Sequence, residues 1–179
     1  MIHWVILLEL LVMSTNNFYE CKRESTLVAY MMNKIQDTEN SEWSTFLDMS
    51  VFLLSIEDFA LEPKLTQLIN TFDCHKKLGI YRYKPNFCYQ WHIDSIRNCA
   101  LNLQLVGSNS FCIFGEFFEP RKFRNLQQLA YKENTYYLLN VNKFHTVFNF
   151  DNERYLLSIG FPKPHTFADV KQYIIDNNI

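Results

Sequence analysis

With 179 residues, 48% hydrophobic and 16% aromatic, the chain is long enough to bury one core without disulfides, and this composition excludes a disordered segment. A net charge of -2 and an isoelectric point near 6.2 leave no cationic field for a phosphate backbone, which argues against a nucleic-acid partner. The five cysteines, Cys21, Cys74, Cys88, Cys99 and Cys112, form neither a CxxC pair nor a metal-knuckle spacing and read as reduced thiols of a cytoplasmic protein.

Residues 1–179 are expected to form a single domain, because no repeat, low-complexity tract or Pro/Gly/Ser linker divides them. Met1 to Val12 is apolar, but too short for a membrane span of about 20 residues, and Glu9 interrupts it. No membrane partner is expected. The run is either a short packing helix or lies upstream of an internal start at Met13, in which case the domain needs nothing before that residue.

Residues 13–77 read as a helical flank. Thr26 to Gln36 is a plausible helix, Phe46 to Ile56 is an apolar run of undecided type, and Lys64 to Phe72 follows Pro63, a residue suited to a first helical position. Over 78–161 the texture changes to short Tyr-, Phe-, Ile-, Val- and Leu-rich runs separated by turn residues. Eight such runs are expected as strands: Leu78 to Lys84, Cys88 to Ile93, Cys99 to Val106, Ser110 to Phe118, Leu126 to Tyr131, Thr135 to Val141, Phe144 to Phe150 and Arg154 to Phe161. Residues 162–179 hold a last helix, Phe167 to Asn177, with Thr166 and Asp169 at capping-box spacing. The fold class is therefore mainly β with flanking helices.

Successive strand side chains point to opposite faces, so each run can be divided in two. Gln90, His92 and Asp94 share a face opposite Tyr89, Trp91 and Ile93. Asn102 and Gln104 oppose Leu101, Leu103 and Leu105; His145 and Asn149 oppose Phe144, Phe148 and Phe150; Arg154 and Ser158 oppose Tyr155, Leu157 and Ile159. A polar face carrying two histidines, an aspartate and an arginine suits a pocket better than bare surface. The large apolar faces then require covering by the terminal helices and a second sheet.

The HxD pair His92 and Asp94 places two ligand types about 7 Å apart along one strand face. With His145 on another strand they make a two-histidine, one-carboxylate set, which suits Fe(II) with open positions and equally the ligand types of a catalytic zinc. Arg154, nine residues after His145, is expected on the neighbouring strand with the same facing. An arginine beside a metal calls for an anion between them, and a dicarboxylate chelating the metal at one end and reaching the guanidinium at the other meets that need.

The run from Tyr83 through Lys84, Pro85, Asn86 and Phe87 to His92 and Asp94, followed by His145, Val147, Asn149 and Arg154, resembles the Fe(II)/2-oxoglutarate-dependent oxygenases. The likeness is greatest to the prolyl-hydroxylase-like and aspartyl/asparaginyl-hydroxylase-like branches and spans about Leu78 to Phe161. It implies a double-stranded β-helix (jelly-roll, cupin-like) barrel. It also implies Fe(II) held by His92, Asp94 and His145 as the catalytic centre, and 2-oxoglutarate held at its distal carboxylate by Arg154, with Tyr83 beside it. Many members have a serine where this chain has Leu156; here the serine is Ser158, one pleat further, so Tyr83 or Asn102 is a candidate for the remaining hydrogen bond. The glycines that usually precede HxD in prolyl hydroxylases are replaced by Asn86 and Phe87, which counts against proline as substrate.

The resemblance implies an O2-consuming hydroxylation of a protein side chain or a small molecule, with release of succinate and CO2. Arg121, Lys122 and Arg124, in the loop expected from Glu119 to Asn125, and Arg97 are either solvated or turned to an anionic substrate. Two alternatives stand beside this reading: a cupin-like metal-binding or sensing module without turnover, and a structural sandwich with chance histidines.

Overall fold

The computed structural model describes residues 17–39, 42–46, 49–120 and 122–179. The apolar run Met1 to Val12, the start at Met13 and Arg121 lie outside these residues. Among the described residues eleven strands and three helices follow in order: β1 (Phe18–Glu24), α1 (Val28–Asp37), β2 (Ser44–Phe46), β3 (Met49–Leu53), α2 (Pro63–Thr71), β4 (Leu78–Tyr83), β5 (Phe87–His92), β6 (Arg97–Val106), β7 (Ser110–Glu119), β8 (Lys122–Ala130), β9 (Thr135–Leu139), β10 (His145–Asn149), β11 (Arg154–Pro162) and α3 (Phe167–Asp176). A 3-10 turn over Ile56–Phe59 precedes α2. No helix among the described residues is long and apolar enough to cross a membrane.

All eight runs expected as strands are strands, and they divide four and four. The larger sheet has the order β1-β9-β6-β11-β4-β3-β2 and the smaller β5-β10-β7-β8, with antiparallel pairing throughout. The flank before residue 78 is not only helical. β1 adds to β9, and the hairpin β2–β3 adds to β4, so three strands from this segment widen the larger sheet. The undecided Phe46 to Ile56 run contains β3.

The expected facing of β6 and β11 places the core. Leu101, Leu103, Leu157 and Ile159 leave the polar side and pack with Leu27 before α1 and Met31 within it, Leu65 and Leu68 of α2, and Val170 and Ile174 of α3. Burying a side chain of this size contributes roughly 1.5–3 kcal/mol, so the apolar face of the larger sheet and its three helices stabilise one another. The outer side of the smaller sheet is different. Trp91 stacks on Phe123 at 4.0 Å, and Phe117, Leu126 and Phe150 are exposed there, so among the described residues the expected helical cover is confined to the larger sheet.

The capping box at α3 is present: Asp169 N donates to Thr166 Oγ1 at 3.2 Å, and Thr166 N donates to the Asp169 carboxylate at 3.0 Å. Removing the cap in Thr166→Ala is expected to cost about 1 kcal/mol, lowering Tm by roughly 2–4 °C in a chain of this size. Thermal denaturation checks this, and an unchanged Tm would show that packing of Phe167 and Val170 alone fixes the helix start.

Candidate metal centre and anion pocket

A cavity of about 420 Å³ lies between the polar sides of the two sheets, a size that suits a small ligand. His92, at the end of β5, faces His145, at the start of β10, across a direct antiparallel pairing. The two rings lie 4.1 Å apart. Asp94 follows β5 rather than belonging to it, and its backbone N–H donates to Val141 O at 3.0 Å. The expectation that His92 and Asp94 share one strand face is therefore corrected: the carboxylate reaches the site from the turn after the strand.

A second correction concerns facing in β5. The β5–β10 register shifts between His145 and Val147, so that three residue steps of β5 oppose two of β10. This bulge lets Tyr89 and His92, which strict alternation puts on opposite faces, both line the cavity. The Tyr89 ring packs edge-on to His92 at 4.3 Å, and the Thr146 hydroxyl donates to the Tyr89 carbonyl at the bulge. Gln90 is exposed and Trp91 turns outward onto Phe123.

Both imidazoles spend Nδ1 on a backbone carbonyl two residues earlier, His92 on Gln90 O at 2.7 Å and His145 on Lys143 O at 2.9 Å. A carbonyl only accepts, so each Nδ1 carries the hydrogen and Nε2 is the lone-pair atom of the neutral ring. Both Nε2 atoms face Asp94 Oδ1, at 3.3 Å and 3.9 Å. The ligand atoms of His92, Asp94 and His145 all lie within 4.8 Å of one another, so these three could hold one metal ion. His145 is 4% exposed; burial, and then the neighbouring His92, pull its pKa down to about 4, which keeps the ring neutral near pH 7. At Asp94 burial works against ionisation, but the neighbouring His92 and the Arg97 guanidinium outweigh it and hold the carboxyl well below the usual carboxylate range.

The other end of the cavity is built on β11, β4 and β6. Arg154 pairs directly with Tyr83 across β11–β4, and Ser158 with Asn102 across β11–β6. All four line the cavity. Arg154 is 0% exposed, yet none of its Nε, Nη1 and Nη2 atoms has a hydrogen-bond partner among the described residues. Its guanidinium sits 5.3 Å from the Tyr83 ring and 4.8 Å from the Tyr131 ring.

Neither ring supplies a counter-charge. Burial pushes Tyr131 to about 12 and Tyr83 well above the ordinary phenol value, against the pull of Arg154, and it pushes the nearby Cys112 thiol to about 12. All three stay protonated near pH 7. Gly107, at φ +134°, covers the arginine stem so closely that a Cβ would stand 3.1 Å from Arg154 Cγ.

Asn102 donates to the Tyr131 hydroxyl at 3.3 Å and leaves Oδ1 buried without a partner among the described residues, while Ser158 Oγ accepts from Arg97 at 3.3 Å. Arg97 thus pairs inside the cavity. The basic loop expected from Glu119 to Asn125 is instead a β7–β8 hairpin whose charges pair locally, Lys122 with Glu119 at 2.6 Å and Arg124 with Glu116 at 3.4 Å. None of its described residues lines the cavity. Tyr131 and Tyr89 are among the lining residues absent from the sequence-based set. Tyr131 follows β8, where period-two alternation no longer applies, and the Tyr89 facing depends on the bulge.

Comparison with known proteins gives no matching family model and no matching curated protein. Solved structures do match. A prolyl-4-hydroxylase of Pseudomonas putida superposes with a TM-score of 0.60 at 13% identity, covering 85% of this chain and 95% of that one. A prolyl hydroxylase of Trichoplax adhaerens, in complex with a hypoxia-inducible-factor oxygen degradation domain peptide, gives 0.62 at 11%, covering 90% and 88%. HygX of Streptomyces hygroscopicus, with nickel, 2-oxoglutarate and hygromycin B bound, gives 0.58 at 14%, covering 88% and 87%. The chain has the double-stranded β-helix fold of the 2-oxoglutarate, Fe(II) oxygenases.

Proposed function

We propose that the chain is a non-haem Fe(II)- and 2-oxoglutarate-dependent oxygenase that hydroxylates a protein side chain or a small molecule, with release of succinate and CO2. The observation that carries this reading is Arg154. A fully buried guanidinium without an acceptor costs several kcal/mol, and few native side chains are left so. A carboxylate entering the cavity would satisfy it through two charge-assisted hydrogen bonds. A set that could hold a metal lies in the same cavity, which favours an anion with a second, metal-chelating end.

The donor set fits Fe(II): two neutral imidazole nitrogens and one ionised carboxylate, with no thiolate among them. His92, Asp94 and His145 would hold the ion, and Arg154 the distal carboxylate of 2-oxoglutarate, with Tyr83, Asn102 and Ser158 along the cosubstrate. Fe(II) with 2-oxoglutarate supplies oxidative decarboxylation coupled to hydroxylation of an unactivated C–H. The protein's part is binding and orientation. Gln90 O and Lys143 O fix the two rings, Asn102 Oδ1 is buried with no partner among the described residues, and the Tyr83 and Tyr131 rings flank the guanidinium.

Anaerobic loading with Fe(II) followed by 2-oxoglutarate tests the reading. A weak visible charge-transfer band at one iron per chain is the expected result. Iron without the band would favour the cupin-like module, and a chain that takes no iron would leave the histidines structural.

A further inference from the structure

Arg97, three residues past Asp94, begins β6 and donates through Nε to Asp94 Oδ2 at 2.5 Å and through Nη1 to Ser158 Oγ at 3.3 Å. The other oxygen of the same carboxylate, Oδ1, is the one that faces His92 and His145. Gly160 lets the arginine lie there, because a Cβ at that position would stand 3.2 Å from Arg97 Cδ and 3.4 Å from Nη1. The two oxygens of Asp94 therefore have separate partners, one cationic and one facing the imidazoles.

A carboxylate can bind a cation through one oxygen or both. Two nitrogens and one oxygen leave three positions of an octahedron open, enough for a chelating cosubstrate and O2; a second carboxylate oxygen takes one of them. We propose that Arg97 is a positioning residue that keeps Asp94 a one-oxygen ligand and so keeps the third position open. The inference rests on the oxygenase reading for what the position is used for, but not for its effect on the carboxylate.

The sign of the metal effect separates this role from a merely structural one. A guanidinium close to a divalent ion repels it and draws electron density from the shared carboxylate. Its removal should leave metal affinity unchanged or tighten it, whereas a damaged site would bind metal less well. Arg97→Met keeps the stem and removes the donors; Arg97→Lys restores one cationic donor.

Each variant is checked for folding by circular dichroism and loaded with Mn(II) for affinity and 2-oxoglutarate titration. Metal-minus-apo infrared difference spectra read the splitting of the carboxylate stretches, wide for one-oxygen and narrow for two-oxygen binding. In Arg97→Met the splitting should narrow, Mn(II) should bind at least as tightly as in wild type, and 2-oxoglutarate at least about tenfold more weakly, a change of about 1.4 kcal/mol. Arg97→Lys should move all three toward wild type.

A wide splitting retained in Arg97→Met, or metal affinity lost with the fold intact, overturns the inference. Should that variant not fold, Arg97→Gln, which loses the charge and the reach, gives the same comparison. A narrowed splitting in a protein whose wild type takes no 2-oxoglutarate leaves the role of Arg97 standing and removes the oxygenase reading. A wild type that binds no divalent metal overturns both.

Discussion

His145→Ala is expected to lose more than about a hundredfold in Fe(II) affinity and to abolish turnover while keeping the fold. Removing a hydrogen-bond partner that orients a ligating histidine typically costs about 10- to 100-fold in metal affinity or activity, and here one of three ligand atoms is deleted. The ring is buried and neutral, its Nδ1 hydrogen is committed to Lys143 O, and its Nε2 is directed at Asp94. Among the described residues no second histidine is placed to replace it, since His92 already supplies its own Nε2 to the same carboxylate oxygen. The fold does not depend on the imidazole. The largest core cluster lies on the other face of the larger sheet, against α1, α2 and α3, whereas His145 sits at the cavity beside Phe114, His92 and Asp94. Metal analysis and circular dichroism on the same sample decide the matter: unchanged iron stoichiometry would remove His145 from the site.

Much of this arrangement is legible in the sequence where alternation is strict. Leu101, Leu103 and Leu105 against Asn102, and Leu157 and Ile159 against Arg154 and Ser158, alternate without interruption, and each residue lies on its expected side. β10 behaves likewise, with His145 in the cavity and Phe150 outside. Alternation fails at β5 because a bulge adds a residue without any mark in the local composition. β1 escapes notice for another reason. Cys21 is its one fully buried residue, so FYECKRE carries no apolar period, and it is a strand through backbone pairing with β9 at a sheet edge. The missing glycines before HxD find their explanation in Asn86, at φ 58°, a residue that tolerates the left-handed turn in place of glycine. Arg97 illustrates the limit most clearly. Its spacing from Asp94 is visible in the sequence, but whether a charge three residues away turns inward depends on the strand start and on Gly160, far along the chain.

Arg154→Leu should leave Fe(II) affinity nearly unchanged and weaken 2-oxoglutarate by about 30-fold to several thousandfold. The guanidinium has donors only and offers no ligand atom to a cation. A carboxylate that has left water to enter the cavity, however, would lose both of its charge-assisted hydrogen bonds. Truncating one partner of a desolvated charge pair typically costs about 2–5 kcal/mol, which converts to that range of affinity. The same substitution has an opposite effect on the empty protein. Arg154 is wholly buried, its three nitrogens lack acceptors among the described residues, and its neighbours Tyr83, Tyr131 and Cys112 are uncharged, so leucine removes a buried cation that no described group pairs. Arg154→Leu should therefore unfold at the same or a higher temperature than wild type when no ligand is present, and gain less on adding 2-oxoglutarate. Loss of affinity together with retained or increased intrinsic stability is the pattern of a residue kept for a ligand rather than for the fold. Calorimetric titration of the iron-loaded proteins and thermal denaturation without ligand measure the two halves separately. Equal 2-oxoglutarate affinities would detach Arg154 from cosubstrate binding, and a large drop in Tm would mean that the guanidinium has a partner within the fold.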